Sequence, residues 1–469
     1  MAQSTKSSTR KSSFPPIVYF AVALFIAYGG HQLWKYFQPL SLADRSSLGE
    51  KLLIKTVDSQ DKSEGIKNFA KGDYTQAISH FQASLRKQPN DPETKIYLTN
   101  SLAIEKVGDI KKLKKIAVVV PIGSNLNVAQ ELLRGFAQVQ EETARQGGIK
   151  GSPIAIEIYN DENKAELAKQ IASKTTSDPQ VLAVIGSNAS DPSLAAAPIY
   201  QQAGLVMVSP SSMTRDLSGI GSYIFRTVPS SKALATTLAQ QIIQVDRKHK
   251  LAICSDSSAV DNVSFKDDLM TEFARMGGEV ASITCDISAT DFNPTIIIDK
   301  VINSGADALF ISSHIDRLPQ AFQLAQANRG RLTLFSSPTL NTFQTLQQGN
   351  AIAGLTLVTP WQNPLNVPSG SFADRARQLW GGQVSWRTAM SFDAAVAIVT
   401  GLQQSDGTRQ GLQEALHNPQ FNANGASGMV KFLPTGDREL PPTITQVQQR
   451  NGKWVFGIPL SLKTVEIKK

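Results

Sequence analysis

From Lys114 onward, short apolar runs alternate with segments of helical periodicity. "KKIAVVVPIG" contains an unbroken apolar run rich in β-branched residues, which is typical of a strand buried on both faces of a parallel sheet. The helical pattern "VAQELLRGFAQVQEETARQ" follows, and the alternation continues through the strand-like runs "VLAVIGS", "GLVMVSP", "KLAICSD", "EVASITCD", "ALFISS" and "LTLFSSP". Alternating strands and helices predict an α/β fold with parallel sheets. Two such series, joined at "YIFRTVPSSKA", predict two doubly wound lobes.

The chain past Gly354 has a more β-like pattern. "GMVKFLPTGDRELPPTITQVQQRNGKWVF" reads as short apolar segments with turns at Gly436, Pro441 and Gly452. We expect this tail to pack as extra strands on one of the lobes.

The N-terminal residues have the pattern of a membrane anchor. Residues 1–13 are polar and basic without an acidic residue, and residues 14–37 carry an apolar run flanked by aromatic residues. This arrangement predicts a single transmembrane signal anchor in the cytoplasmic (inner) membrane, with a short cytoplasmic tail and the bulk of the chain on the periplasmic side. A cleaved signal peptide is the alternative.

A small helical segment is predicted between the anchor and the α/β region. Residues 38–60 read as a linker, and residues 61–110 carry the spacing of one tetratricopeptide (TPR) repeat, with Gly65, Gly72, Tyr74, Ala77, Phe81, Leu85 and Pro89. A stable solenoid generally needs about three repeats. We therefore expect a TPR-like hairpin that acts as a spacer or docks a protein partner.

Charge and cysteine content narrow the classes of function. The 47 Lys and Arg residues outnumber the 39 Asp and Glu residues, but they form no stripe interleaved with aromatics, so nucleic acid is not an expected partner.

Cys254 and Cys285, the two cysteines of the chain, lie at the ends of predicted strands. They are either a disulfide, which an exported protein permits, or two small buried side chains.

Motifs for catalysis are missing from the sequence. Ser212 lacks the flanking glycines of a G-x-S-x-G elbow, the five histidines are scattered, and no P-loop or G-x-G-x-x-G follows a predicted strand. We predict that the protein is not an enzyme and has no metal or cofactor.

Small hydroxyl residues gather where three predicted strands end. In open α/β sheets, ligands bind beyond the carboxyl ends of the strands, and hydroxyls with helix N-termini hold carboxylates well. Helix capping is the alternative explanation for any one loop, but three such loops favour a ligand cleft between the lobes. The three loops are "IGSNAS" (Ser187, Asn188, Ser190), "SPSSMT" (Ser209, Ser211, Ser212, Thr214) and "FSSPT" (Ser336, Ser337, Thr339).

Several segments resemble type I periplasmic binding proteins of the leucine/isoleucine/valine class. They are "QGGIKGSPIAIEIYND", "VIGSNASDPSLAAAPIYQQAGLVMVSPSS", "IFRTVPSSKA", "DFNP" and the tail quoted above. The resemblance implies two Rossmann-like lobes joined by three crossovers that close hinge-fashion on a ligand. It places this domain at 114–469, with lobe 1 at about 114–228 and 361–427 and lobe 2 at about 229–360 and 428–460.

The resemblance also implies a set of ligand-binding positions. The carboxylate-binding serine of the family falls on Ser190, and the positions after Ser-Pro fall on Ser211 and Ser212. Met213 stands where the family has a hydroxyl residue, and Thr214 offers a hydroxyl one position later. Thr339 stands where the family has the glutamate that pairs with the ammonium group of the ligand. Asp256 and Asp316 are the expected replacement acids. The full set of predicted ligand positions is Ser190, Ser211, Ser212, Thr214, Ser231, His314 and Thr339.

Two functions are compatible with these features. The first is a membrane-anchored solute-binding protein of an ABC-type uptake system, which would bind an amino acid or a related small polar solute and deliver it to permease subunits. The alternative is a ligand-sensing or assembly protein that keeps the binding fold with an altered or lost ligand site.

Overall fold

The computed structural model describes residues 41–55, 59–364 and 367–459. The expected membrane anchor at 14–37 lies outside these residues. Within the described ranges, no helix combines the length and the apolarity needed to cross a membrane. The helices and strands belong to one compact unit that begins at Arg45.

The α/β alternation is observed along the chain. The helices are α1 (Gln60–Ala70), α2 (Tyr74–Lys87), α3 (Pro92–Val107), α4 (Leu126–Arg145), α5 (Ala165–Ser177), α6 (Ser190–Gln202), α7 (Ser231–Gln240), α8 (Val260–Arg275), α9 (Pro294–Asn303), α10 (Leu318–Asn328), α11 (Phe343–Leu346), α12 (Phe372–Trp380), α13 (Trp386–Gln404) and α14 (Arg409–His417). The strands are β1 (Ser46–Ser47), β2 (Lys114–Val120), β3 (Ile154–Asn160), β4 (Val181–Ile185), β5 (Val206–Ser209), β6 (Ile224–Arg226), β7 (Lys250–Ser255), β8 (Glu279–Val280), β9 (Ala308–Ser312), β10 (Thr333–Ser336), β11 (Thr356–Thr359), β12 (Ala423–Gly425), β13 (Gly428–Val430), β14 (Thr443–Arg450) and β15 (Lys453–Gly457).

Two sheets form the cores of two lobes. The sheet of lobe 1 has the order β1-β3-β2-β4-β5-β6, and all of its pairs are parallel except β1 with β3. The sheet of lobe 2 has the order β15-β14-β11-β10-β9-β7-β8, and it is parallel from β11 to β8. The predicted two-lobed α/β fold is confirmed. The C-terminal strands β14 and β15 extend lobe 2 in antiparallel fashion, as expected.

The structure differs from the sequence expectation at the run "EVASITCD". Only Glu279–Val280 forms a strand, and the remainder returns to the sheet through the backbone bond from Ser255 N to Cys285 O. Cys285 is joined to Cys254 by a disulfide with a Cα–Cα distance of 4.7 Å. The disulfide thus attaches the segment after Val280 to β7, although this segment does not form a continuous strand. Of the two alternatives for the cysteines, the structure adopts the disulfide.

The last crossing between the lobes lies later than the expected position at 428. β13 pairs with β12, next to α13 in lobe 1. The following turn stays on lobe 1, because Gly219 N donates to Thr435 O and Arg226 N donates to Gly436 O. The chain therefore joins the sheet of lobe 2 only at Thr443, after the segment that completes the edge beside β6.

The helices α1 and α2 form a hairpin ahead of the lobes. Gly65 in α1 lies against the ring of Phe81 in α2, and a Cβ atom at Gly65 would come within 2.6 Å of that ring. Glycine is therefore needed at this close approach. Identification of the hairpin as a TPR repeat stays a prediction. The third helix, α3, packs against α4 and β3 of lobe 1.

Asn100 of α3 completes the open edge of β3. β1 pairs with β3 only at Ile158 and Tyr159. At Ile156 the side chain of Asn100 takes the place of a strand: its Nδ2 donates to Ile156 O (2.7 Å), and its Oδ1 accepts from Ile156 N (2.9 Å). The side chain is fully buried and also bonds Gln140. This interaction protects a sheet edge and attaches α3 to lobe 1.

The substitution Asn100→Ala should destabilise lobe 1 by about 2–4 kcal/mol, because it leaves the N–H and C=O of Ile156 buried without partners. Urea unfolding followed by circular dichroism measures the change. Lys106→Ala, on the exposed face of the same helix, is the control and should change stability by less than about 0.5 kcal/mol. Equal stabilities of the two variants would contradict the role given to Asn100.

Candidate functional site

The loops that follow the strands of both sheets meet between the lobes. Lobe 1 contributes the loop after β4 and the loop after β5, which hold the predicted hydroxyl residues. Lobe 2 contributes the loops after β7, β9 and β10. In a parallel sheet all of these loops lie at the carboxyl edge, so two such edges that face one another enclose a cleft.

Three of the predicted residues form a hydroxyl cradle in lobe 1, namely Ser190, Ser212 and Thr214. Ser190 is the first residue of α6, and its Oγ accepts from Ser212 Oγ (3.2 Å) and from Thr214 N (3.4 Å). All three residues are buried. Ser211 is directed elsewhere, because its Oγ donates to Asn188 O at 2.8 Å. The cradle lies at the N-terminus of α6, where the helix dipole favours an anion.

Residues next to the cradle connect the two lobes. Thr214 Oγ1 lies 3.1 Å from Ser264 Oγ of α8. Arg215 Nη1 lies 3.1 Å from Asp268 Oδ1 of the same helix. Ser231, the first residue of α7, donates from Oγ to Asp268 Oδ2 at 2.6 Å. Ser231 belongs to lobe 2, like Asp268, and it reaches lobe 1 through its backbone N–H, which donates to Met213 O (2.8 Å). Thr214 and Arg215 therefore hold the lobes together through their side chains, and Ser231 does so through its backbone.

Arg226 supports the cradle from beneath and was not among the predicted residues. Its Nη1 donates to Thr214 O (2.6 Å) and to Ser212 O (3.3 Å), and its Nε donates to Asp437 Oδ1 (2.6 Å). The side chain is among the largest that are fully buried. The signal in the sequence was a lone arginine at the end of the apolar run "YIF".

The predicted residues of lobe 2 do not form a carboxylate site. His314 Nδ1 lies 3.4 Å from Asp316 Oδ2. Thr339 is buried in a short 3-10 turn, Pro338–Leu340, and carries no charge. Asp256, one expected replacement acid, already pairs with Arg317 at 3.1 Å. The other expected acid, Asp316, is paired with His314 and is partly exposed.

Lobe 2 instead places buried polar atoms without partners at its carboxyl edge. Among the residues that the structure describes, these atoms have no hydrogen-bond partner: Asp261 Oδ1, Asn262 Nδ2, Ser313 Oγ and Ser337 Oγ. Buried polar groups are normally paired, so such a group calls for an explanation. Ser337 lies in a predicted hydroxyl loop. Asp261 and Asn262, at the start of α8, and Ser313, after β9, were missed because the sequence around them shows no distinctive motif.

An aromatic pocket of about 220 Å³ lies beside this edge. It begins at Asn341, two residues past Thr339, and its aromatic lining consists of Phe343, Trp361, Trp386 and Phe456. The guanidinium of Arg387 lies 4.5 Å from the Trp386 ring and forms an ion pair of 3.5 Å with Glu131. The pocket can accept an apolar group next to polar surroundings.

Residues 114–453 match the family model described as "Periplasmic binding protein". The chain belongs to the periplasmic binding protein family. The matched range covers both lobes and the crossovers between them, but not the α1–α2 hairpin or α3.

Individual relatives agree with this assignment. The Leu/Ile/Val-binding protein of Escherichia coli (strain K12) is 23% identical over 299 residues, which cover 62% of this chain and 80% of that protein. A leucine-binding protein from Thermotoga maritima superposes with a TM-score of 0.66 at 19% identity, over 74% of this chain and 98% of that one. A solute-binding protein from R. palustris in complex with 4-hydroxybenzoate superposes with a TM-score of 0.65 at 17% identity, over 74% of this chain and 96% of that one. These two structural likenesses establish the fold.

The substitution Arg226→Lys should lower the free energy of unfolding by about 2–4 kcal/mol, because one ammonium cannot replace the several buried bonds of the guanidinium. Arg215→Lys is the matched control. Its ion pair involves a half-exposed side chain and should contribute less than about 1 kcal/mol. Denaturant unfolding of both variants measures the difference. If Arg226→Lys lowers the free energy of unfolding no more than Arg215→Lys does, the cradle does not need the support of Arg226.

Proposed function

We propose that this protein is the solute-binding component of an ABC-type uptake system for small amino acids of the branched-chain type. The observation that carries the proposal is the hydroxyl cradle of Ser190, Ser212 and Thr214 at the N-terminus of α6. Across the cleft from this cradle, lobe 2 presents buried polar atoms that have no partner in the part of the chain that the structure describes. Family membership supports a binding role, and the named leucine-binding relatives support the ligand class.

In this proposal the ligand carboxylate replaces the internal bonds of the cradle. The Oγ atoms of Ser190 and Ser212 and the backbone N–H of Thr214 are donors that can converge on a carboxylate. The positive end of the α6 dipole adds to their attraction. The contacts of Thr214 with Ser264 and of Arg215 with Asp268 then keep the lobes closed over the ligand.

The ligand side chain would occupy the aromatic pocket near Asn341. Its volume of about 220 Å³ and its aromatic side chains suit a branched aliphatic group. The relative that binds 4-hydroxybenzoate shows that this fold also holds carboxylates without an ammonium group. A carboxylate is therefore the part of the ligand that the cradle selects.

The proposal includes the position of the protein in the cell. Residues 14–37 would anchor it in the cytoplasmic membrane with the lobes on the periplasmic side, where they would deliver the solute to permease subunits. The TPR-like hairpin would contact a protein partner. The alternative of a sensor or assembly protein has no specific observation in its favour.

L-leucine, L-isoleucine or L-valine should stabilise the purified full-length protein. At about a hundred times its dissociation constant, a ligand adds about 2.7 kcal/mol to the free energy of unfolding. Thermal unfolding detects the shift, and isothermal titration calorimetry measures the affinity. Ser190→Ala should weaken binding about 10- to 100-fold, because a hydrogen bond to a charged group is lost.

Ser173→Ala is the matched control. It removes a serine hydroxyl from the exposed face of a lobe 1 helix and should leave affinity unchanged. Absence of binding by the three amino acids in the unmodified protein would overturn the proposed function. Unchanged affinity in Ser190→Ala would reject the cradle as the carboxylate site.

A further inference from the structure

We propose that Asp261, supported by Asn262 and Ser313, binds the ammonium group of the ligand in place of the carboxylate that is missing at Thr339. The inference rests on the proposed function and specifies its ligand class: a small zwitterion that carries a carboxylate and an ammonium on neighbouring atoms. Asp261 lies in the first turn of α8, whereas Thr339 lies in the 3-10 turn that follows β10.

A chain of contacts places Asp261 beside the hydroxyl cradle. Asp261 and Ser264 are three residues apart in α8 and therefore share one face of that helix. Ser264 Oγ lies 3.1 Å from Thr214 Oγ1, and Thr214 N lies 3.4 Å from Ser190 Oγ. The carboxylate of Asp261 also interacts electrostatically with Asp191, the second residue of α6. An acid and a carboxylate cradle thus adjoin across the cleft, as the two ends of an amino acid require.

The polar groups around Asp261 are left without partners in the same place. Asn262 is bound through Oδ1 to Ser312 Oγ (2.5 Å), which joins the start of α8 to the end of β9, while its Nδ2 has no partner. Ser313, the next residue after β9, is fully buried, and its Oγ has no partner among the described residues. Asp261 Oδ1 is buried and likewise has no partner within the described part of the chain. A ligand that supplies hydrogen bonds here would satisfy them.

The electrostatics of the site favour a cation. Burial raises the pKa of Asp261; His314 opposes this shift and Asp191 adds to it. A buried carboxylate next to a second carboxylate is costly until a positive charge joins them. The other acids of lobe 2 near this edge are already engaged, since Asp256 pairs with Arg317 and Asp316 pairs with His314.

The test compares Asp261→Asn with Asp267→Asn in the full-length protein. Both substitutions remove one negative charge from α8, but Asp267 is half-exposed on the outer face and lies 3.9 Å from Lys266. Calorimetric titration uses L-leucine and its analogue without the amino group, 4-methylpentanoate. We expect Asp261→Asn to weaken L-leucine binding about 10- to 100-fold and to leave 4-methylpentanoate binding unchanged or stronger. Asp267→Asn should bind both solutes like the unmodified protein.

The outcomes separate this inference from the proposed function. If Asp261→Asn binds L-leucine as tightly as the unmodified protein, the inference is overturned while the proposed function stands. Equal weakening of both solutes would also overturn it, since that result indicates a general defect of the cleft. If the unmodified protein binds 4-methylpentanoate and no amino acid, both proposals fail. Thermal unfolding without ligand checks the fold of Asp261→Asn, whose midpoint should stay close to that of the unmodified protein.

Discussion

The parallel arrangement of strands is the constraint on which the rest of this structure depends. It places every loop that follows a strand at one edge of its sheet, so residues far apart in the chain become neighbours. Ser190 follows β4 and Thr214 follows β5, yet Thr214 N bonds Ser190 Oγ. Lobe 2 repeats the arrangement with the loops after β7 and β9, which Ser312 and Asn262 connect. The cleft lies where the carboxyl edges of the two sheets face each other.

A buried ion pair, Arg226 with Asp437, holds the loop that carries Ser212 and Thr214. Arg226 holds the backbone of the cradle loop through Ser212 O and Thr214 O, and Asp437 neutralises it. Asp437 comes from the segment that stays with lobe 1 before the last crossing. That segment therefore has a structural reason to run along β6: it completes the environment of a buried guanidinium, which would be costly if left unpaired.

Helix α3 is attached to lobe 1, and the α1–α2 hairpin is attached to α3. Asn100 pairs with the edge of β3, and Lys95 forms an ion pair of 3.0 Å with Glu141 of α4. The buried Glu93 of α3 accepts from the backbone of Leu53 and pairs with Lys62 of α1. Hydrogen bonds and buried ion pairs thus continue from the hairpin through α3 into the sheet of lobe 1.

The sequence by itself determined most of the elements, the parallel two-lobed fold and the hydroxyl residues at the strand ends, because hydrophobic periodicity and strand-end composition are local properties. The run "EVASITCD" is an exception, since only Glu279–Val280 forms a strand. The sequence did not reveal that Ser211 turns away from the cradle, that Arg226 supports it, or that Asp256 is already paired. It also placed the last crossing too early. These features depend on which side chains from distant parts of the sequence form hydrogen bonds or ion pairs with one another. Only the tertiary packing decides that.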